Sequence, residues 1–297
     1  MTTTTLSYPV STENDVVPVR FSGRSFEALV LLSDFNKRIQ VVDYRGPDFQ
    51  TMTRMLEGEA RARGYGKIFL KAPIFHRRSL ESAGMSYEAS IPGYFVGQTA
   101  VVMSRFLDER RTRRPHVERQ EEVLAGIRER PPDPSLSVLP DGYRLALAEP
   151  DDAPELAALY DTVFASYPFP ITDPEYLVAT MQSHVVYRVV RDGDGALVAA
   201  ASAETDPVHR NAEMTDFATR PDQRCLGLAQ HLLAALEEDM DARTIPNLYT
   251  IARARSAGMN RVFYNRGYEL TGTLVNNCHI SGQFEDMHVW CKSLAAN

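Results

Sequence analysis

Residues 214–240 read MTDFATRPDQRCLGLAQHLLAALEEDM, and this stretch decides the fold. It opens as a strand, turns tightly at Arg220-Pro221-Asp222, crosses Arg224-Cys225-Leu226-Gly227-Leu228-Ala229 and continues in helical period. Leu228, Leu232, Leu236 and Met240 recur every fourth residue with Leu233 beside them, an apolar stripe along one side of a helix. Glu237, Glu238 and Asp239 fall elsewhere on the wheel. A helix entered straight from a glycine-bearing loop exposes N–H groups that have no internal partner, and the helix dipole adds partial positive charge there. Such an end binds phosphate. Gly227 and Ala229 are small where a diphosphate would approach, and Gly227 can adopt dihedrals that a Cβ disfavours. Neither GxGxxG nor GxxxxGK[ST] occurs in the chain, so the common nucleotide loops are excluded.

Around this stretch the C-terminal part, residues 139–297, alternates regular elements. A strand at 143–147 precedes a helix with the acidic, proline-bearing entry Pro150-Asp151-Asp152-Ala153-Pro154-Glu155. Tyr167-Pro168-Phe169-Pro170 is too rich in proline for either regular element. A helix at 174–183, strands at 185–191 and 197–204, a strand at 248–252, a helix at 259–266 closed by Gly267, and strands at 268–276 and 284–292 complete the order.

Residues 19–107 read as a smaller α/β unit. A hairpin spans 26–44, and a helix spans 48–63 with Phe49, Met52, Met55 and Leu56 on one face and Gly64 at its end. A strand at 67–71, a helix at 76–83 and strand-like runs at 87–91 and 95–106 follow. Residues 59–107 repeat the element order of 237–292, as a partial degenerate copy or as the order any α/β unit gives. No Arg-x-x-Gly-x-Gly loop follows Val42-Asp43-Tyr44, so this unit should not bind a phosphate ligand in the way that 224–229 can. Residues 1–18 read as a flexible tail. Residues 108–138, charged and proline-rich, read as a linker with a surface helix at 117–130, in which Arg110, Arg111, Arg113 and Arg114 form a solvated face.

The chain has 297 residues, 44% of them hydrophobic, enough for packed cores in two domains. Its net charge of -7 argues against nucleic acid as the main partner and is compatible with a cationic one. Cys225, Cys278 and Cys291 form no CxxC, so no metal site is expected and a reducing cytoplasm fits. The chain has no run of eighteen apolar residues and no apolar h-region after the N-terminus, so a cytoplasmic protein with no membrane partner is expected.

Residues 224–229 match the (Arg/Gln)-x-x-Gly-x-(Gly/Ala) signature, and with the surrounding element order they resemble the GCN5-related N-acetyltransferases (GNAT). The match extends through Tyr167-Pro168-Phe169-Pro170-Ile171, Tyr249-Thr250-Ile251-Ala252-Arg253-Ala254, Gly258-Met259-Asn260 and Gly272-Thr273-Leu274-Val275-Asn276-Asn277 to Val289-Trp290, where the chain looks like the β-lysine N-acetyltransferase family. Cys278-His279 depart from the family's pattern near the acceptor pocket. The resemblance implies a GNAT fold after a smaller α/β domain, acetyl-CoA as cosubstrate, β-lysine as acceptor and a compatible-solute product. It also implies lysine 2,3-aminomutase as the pathway partner.

The resemblance further implies that the backbone of Phe217, Ala218 and Thr219 binds the pantetheine arm and that Arg224, Cys225, Leu226, Gly227, Leu228 and Ala229 hold the diphosphate. Tyr264 is the expected general acid, and Asn260, on the same helical face, the expected contact to pantetheine or phosphate. A lysine-like amine near pKa 10.4 costs roughly 4.6 kcal/mol to deprotonate at pH 7, so a base is needed. Glu213, Asp216 and Glu285 are the candidates. Glu213 and Asp216 differ by three and face opposite sides of a regular strand unless a bulge intervenes. Tyr167 and Phe169 are expected in the acceptor pocket; Arg253, Asn276 and Asn277 could meet the substrate carboxylate, and Glu285 or Asp286 its second ammonium. His279 and His288 are possible proton carriers. Another diamine or amino acid as acceptor, or an acyl-CoA sensor without turnover, are the alternatives.

Overall fold

The structure is a computed structural model and describes residues 16–280 and 282–294. The apolar runs of the N-terminal half become β1 (Val16–Ser22), β2 (Glu27–Ser33), β3 (Arg38–Arg45), β4 (Lys67–Pro73), β5 (Ser86–Gly93) and β6 (Gly97–Phe106). Helix α1 (Phe49–Ala62) crosses from β3 to β4, and α2 (Arg77–Ser82) lies between β4 and β5. After α3 (Val117–Arg128) the C-terminal half contributes β7 (Arg144–Leu147), α4 (Ala153–Val163), α5 (Pro174–Met181), β8 (Val185–Arg191), β9 (Leu197–Asp206) and β10 (Asn211–Thr219). It ends with α6 (Leu228–Ala242), β11 (Asn247–Arg253), α7 (Ala257–Asn265), β12 (Glu269–Ile280) and β13 (Gln283–Ser293).

These strands join one sheet in the order β1-β2-β3-β4-β6-β5-β12-β13-β11-β10-β9-β8-β7. Read inwards from β1 at one edge and from β8, next to β7 at the other, the halves repeat each other: β1 to β6 answer β8 to β13, and α1 and α2 answer α6 and α7. Only β3–β4 and β10–β11 pair in parallel, each across a helix. The halves meet antiparallel where Gly272 faces Ala89, and a Cβ on Gly272 would run into the backbone of Glu88. Beside that seam the buried Lys67–Glu88 pair (2.8 Å) grips the C-terminal half, with Lys67 Nζ donating to Val275 O. Burial pulls the Lys67 ammonium down to about 8.

Apolar stripes set the layers. Ile39, Val41, Ile68 and Leu70 meet Met52 and Leu56 of α1 on one face, and Leu228, Leu232, Leu236 and Met240 of α6 cover β8 to β10 in the other half. Met55 is 39% exposed, because it stands at the edge of the stripe through Phe49, Met52, Leu56 and Ala60. Glu237, expected off the apolar face, is buried and pairs with Arg266 and Lys292.

Val16, Val17 and Pro18, expected in the tail, already belong to β1; residues 1–15 lie outside the described residues. The expected solvated face at 110–114 holds for the exposed Arg110 and Arg113 and is corrected for Arg111 and Arg114. Arg111 is buried over the Phe284 ring and donates to Asn36 O, and Arg114 pairs with Asp286 at 2.7 Å. Helix α3 buries Gln120, Val123 and Ile127, and Gly126 O accepts from Arg261 of α7. Among the described residues no helix is long and apolar enough to cross a membrane.

Candidate active site

The site opens where a parallel strand pair comes apart. β10 and β11 stay in register only from Asn211↔Asn247 to Glu213↔Tyr249. Beyond that β10 bulges between Thr215 and Ala218, with Asp216 in the left-handed region at φ 54°. A bulge breaks the two-residue alternation. The exception foreseen for Glu213 and Asp216, an intervening bulge, is therefore met, and both reach one compartment.

The gap between the strands is a cleft of about 620 Å³ that runs to the start of α6. Every residue from Arg224 to Ala229 lines it, together with Phe217, Thr219, Gln223 and Gln230. Ala218 turns its methyl into the core, which leaves only its backbone for a ligand. Cys225 (φ 67°) and Gly227 (φ 75°) are both left-handed, and Gly227 caps α6 with no side-chain hydrogen bond to the helix. The first-turn N–H groups thus keep their capacity for an anion. A Cβ on Gly227 would come within 2.5 Å of Ser137 Oγ.

The second compartment, about 410 Å³, adjoins the first through shared lining: Tyr167, Thr215, Asp216, Ile251, Ile280 and Met287 border both. Its carboxylates are Glu204, Asp206, Glu213 and Asp216. Asp216 accepts from Tyr167 Oη at 2.7 Å and from Ser202 Oγ at 2.6 Å. Asp206 holds His209 at 2.6 Å, and His184 stands 3.6 Å from Glu204. Burial, reinforced by Glu204, raises Asp216; burial raises Glu213 as well, against the opposing pull of Lys71. Burial and then Asp216 push the Tyr167 phenol well above its ordinary range, so it keeps its proton.

Several expected residues stand elsewhere. Asn260 and Tyr264 do share a helical face, but that face packs on Trp290. Asn260 is fully buried, donating to Arg253 O (2.9 Å) and Ser256 O (2.7 Å) and accepting from Trp290 Nε1 (2.8 Å). The Tyr264 ring packs edge-on to Trp290, outside both compartments, while Gly258, Met259, Val262 and Phe263 form the cleft side of α7. Glu285 is buried against Arg253 (3.1 Å) and Arg255 (3.4 Å) and lines neither compartment. Asp286 is taken by Arg114, Gln120 and the Asn276 N–H, and Asn276 itself donates to Arg111 O and Arg113 O. Arg253 borders the first compartment and not the second. Asn277 and Phe169 do line the second. His279 is wedged between Phe35 and Phe284; His288 bonds Thr273, and burial pulls it down to about 4.

Reasoning from sequence missed Glu204, Asp206, His209, Arg38 and Lys71 in the second compartment. For Lys71 a signal exists: it follows Phe69 on the face of β4 opposite to buried Ile68 and Leu70.

An uncapped helix start beside splayed parallel strands, opening into a carboxylate-lined compartment, fits a transferase that moves an acyl group from a coenzyme to an amine. The Acetyltransferase (GNAT) family matches residues 156–268. The chain is 36% identical over 260 residues to N-acetyltransferase YodP of Bacillus subtilis, covering 88% of this chain and 94% of that protein. It is 34% identical over 266 residues to the β-lysine N(6)-acetyltransferase of Methanococcus maripaludis, over 90% of this chain and 96% of that protein. It is also 34% identical over 266 residues to the β-lysine N(6)-acetyltransferase of Methanosarcina mazei, over 83% and 98%. The chain belongs to the GNAT family, in its β-lysine acetyltransferase-like part, and is an acetyl-CoA-dependent N-acetyltransferase.

Proposed function

We propose that the protein acetylates the ε-amine of β-lysine, giving Nε-acetyl-β-lysine. The observation that carries this reading is the carboxylate-lined second compartment, joined to the coenzyme cleft at Asp216 and Tyr167. The two β-lysine N(6)-acetyltransferases, matched over nearly their whole length, support the same acceptor.

Acetyl-CoA, when bound, supplies the thioester carbonyl. The uncapped start of α6 and Arg224 hold its diphosphate, and the backbone of Phe217 to Thr219 takes the pantetheine arm. The acceptor ammonium enters among Glu213, Asp216 and Glu204, which concentrate a cation. Deprotonating it costs roughly 4.6 kcal/mol at pH 7 against a free base. Burial narrows that gap from the other side, because a carboxylate raised in pKa holds a proton more readily. Asp216, reached from both compartments, takes the ammonium proton on the acceptor side and returns it to the leaving thiolate on the donor side; the second nitrogen proton, shed as the amide forms, passes to the freed carboxylate and on to solvent. Tyr167, with its own proton retained, fixes the carboxylate for that exchange. Tyr264 has no part in it.

The amine would come from an aminomutase acting on lysine, and the neutralised ε-nitrogen suits a product accumulated as a compatible solute. The test is an acceptor screen by thiol release with purified protein, acetyl-CoA, β-lysine and α-lysine. A clear preference for β-lysine is expected; equal rates with both lysines would overturn the assignment.

A further inference from the structure

The acceptor compartment has two walls of opposite charge, and they come from opposite halves of the sheet. The C-terminal half presents the carboxylates, on β9 and on β10 with its bulge. On the other side the alternation of β3 and β4 turns Arg38, Gln40, Phe69 and Lys71 to the compartment, while Ile39, Ile68 and Leu70 go to the core under α1. Lys71, 17% exposed, donates to Tyr249 Oη at 2.7 Å, stands 3.8 Å from Glu213 and lies over the Tyr94 and Tyr249 rings. Arg38 is 6% exposed and donates from one amino group to Asn277 O at 2.5 Å. Its Nε has no hydrogen-bond partner among the described residues, and neither has the buried Oδ1 of neighbouring Asn277. A buried guanidinium N–H without an acceptor is costly, and a ligand oxygen would remove that cost.

We propose that the N-terminal half reads the substrate's carboxylate, with Lys71 and Arg38 as its two cations. The half that lacks a coenzyme loop thereby sets specificity for an amino acid over a diamine. The inference rests on the amino-acid acceptor proposed above and assigns its two ends: ammonium to the C-terminal wall, carboxylate to the N-terminal one. A positively charged wall also explains how a compartment otherwise rich in carboxylates admits an anion at all.

The test compares full-length wild type with Lys71→Met, Lys71→Arg and Gln40→Glu on two matched acceptor pairs, by thiol release from acetyl-CoA. One pair is β-lysine and its decarboxylated analogue; the other is α-lysine and cadaverine. The readout is the ratio of kcat/KM for acid to diamine. Losing a charged hydrogen-bond partner should lower this ratio roughly 10- to 100-fold in Lys71→Met. Gln40→Glu, which keeps Lys71 and adds a repelling carboxylate to the same wall, should lower it too and carries the test if Lys71→Met does not fold. Lys71→Arg should hold the ratio within about threefold, since the charge remains. If Lys71 only braces Glu213 or Tyr249, acid and diamine fall together; an unchanged ratio in Lys71→Met and Gln40→Glu overturns the proposal. If the wild type ignores β-lysine but uses α-lysine, the acceptor assignment fails, and the second pair still decides the carboxylate question.

Discussion

The two halves of the sheet run the same path and end it differently. In the N-terminal half β3 leads through a short turn to Asp48, whose carboxylate accepts from Thr51 N and so fills the first turn of α1. In the C-terminal half β10 leads through a longer loop to Gly227, and α6 begins with no side chain on its N–H groups. Val41-Val42-Asp43-Tyr44 and Met214-Thr215-Asp216-Phe217 occupy matching places, yet Asp43 is exposed while Asp216 is drawn inwards at a left-handed bulge between Tyr167 and Ser202. One topology thus serves two tasks. Because β3 also slips register against β2 at Val42, the difference lies in a helix cap and in the left-handed backbone of Asp216, not in the order of elements.

The bulge should show the largest effect. Asp216→Asn keeps the shape and the hydrogen-bond reach of the side chain but cannot take a proton, and general-base catalysis is worth about 10²–10⁴-fold. Acetyl transfer should fall by roughly 10³-fold, measured as kcat at saturating acceptor. In the wild type kcat should decline as pH falls, because the base must be deprotonated. The raised pKa puts that decline above the ordinary carboxylate range. A limb at an ordinary carboxylate pKa, or a near-normal Asp216→Asn enzyme, would break the distinction between Asp216 and Asp43.

Next comes the cap. Gly227→Asp places a carboxylate at the start of α6, in a residue that tolerates positive φ better than most, with the Ser137 hydroxyl turned aside to make room. The new carboxylate takes the free N–H groups and repels a diphosphate, so coenzyme A affinity should drop about 100-fold by calorimetry. Undiminished affinity would show that the helix start is not the anion site. The reciprocal change is smaller. Asp48→Ala should cost about 1 kcal/mol in denaturant unfolding, the usual worth of an N-cap. It should also confer no coenzyme binding on the N-terminal half, since β3 is followed there by only a short turn to α1.

How much of this was legible follows from how local each feature is. The loop at 224–229, the helix it feeds and the element order are written in contiguous residues, and the structure repeats them closely. The acceptor compartment is not contiguous: Lys71, Glu204, Glu213 and Asn277 meet only because β5 pairs with β12 and closes the two halves into one sheet. A strand's alternation also misleads at a bulge, which is where Asp216 sits. Glu285 and Asp286 look available as acids in the sequence, but arginines from Arg114 to Arg255 neutralise them in the fold. Of the charge that reads as surface at 110–114, Arg114 turns out to be the counterpart of buried Asp286.

Tyr264 separates spacing from placement and should show the smallest effect. A helix position four residues from Asn260 shares its face, and that inference holds; the face, however, lies on Trp290, and the cleft takes Phe263 instead. Phe263 has no hydroxyl to lend, which accords with the proposed return of the proton from Asp216 on the strand side. Tyr264→Phe should then leave kcat/KM within about threefold of wild type, as expected for a hydroxyl outside the reacting pocket. Tyr167→Phe, which removes the donor to Asp216, should lower kcat about tenfold and shift the acid limb of its pH profile. If the two variants exchanged these outcomes, α7 would have to rotate about its axis in the working enzyme, and the proton path would belong to the helix, not to the bulged strand.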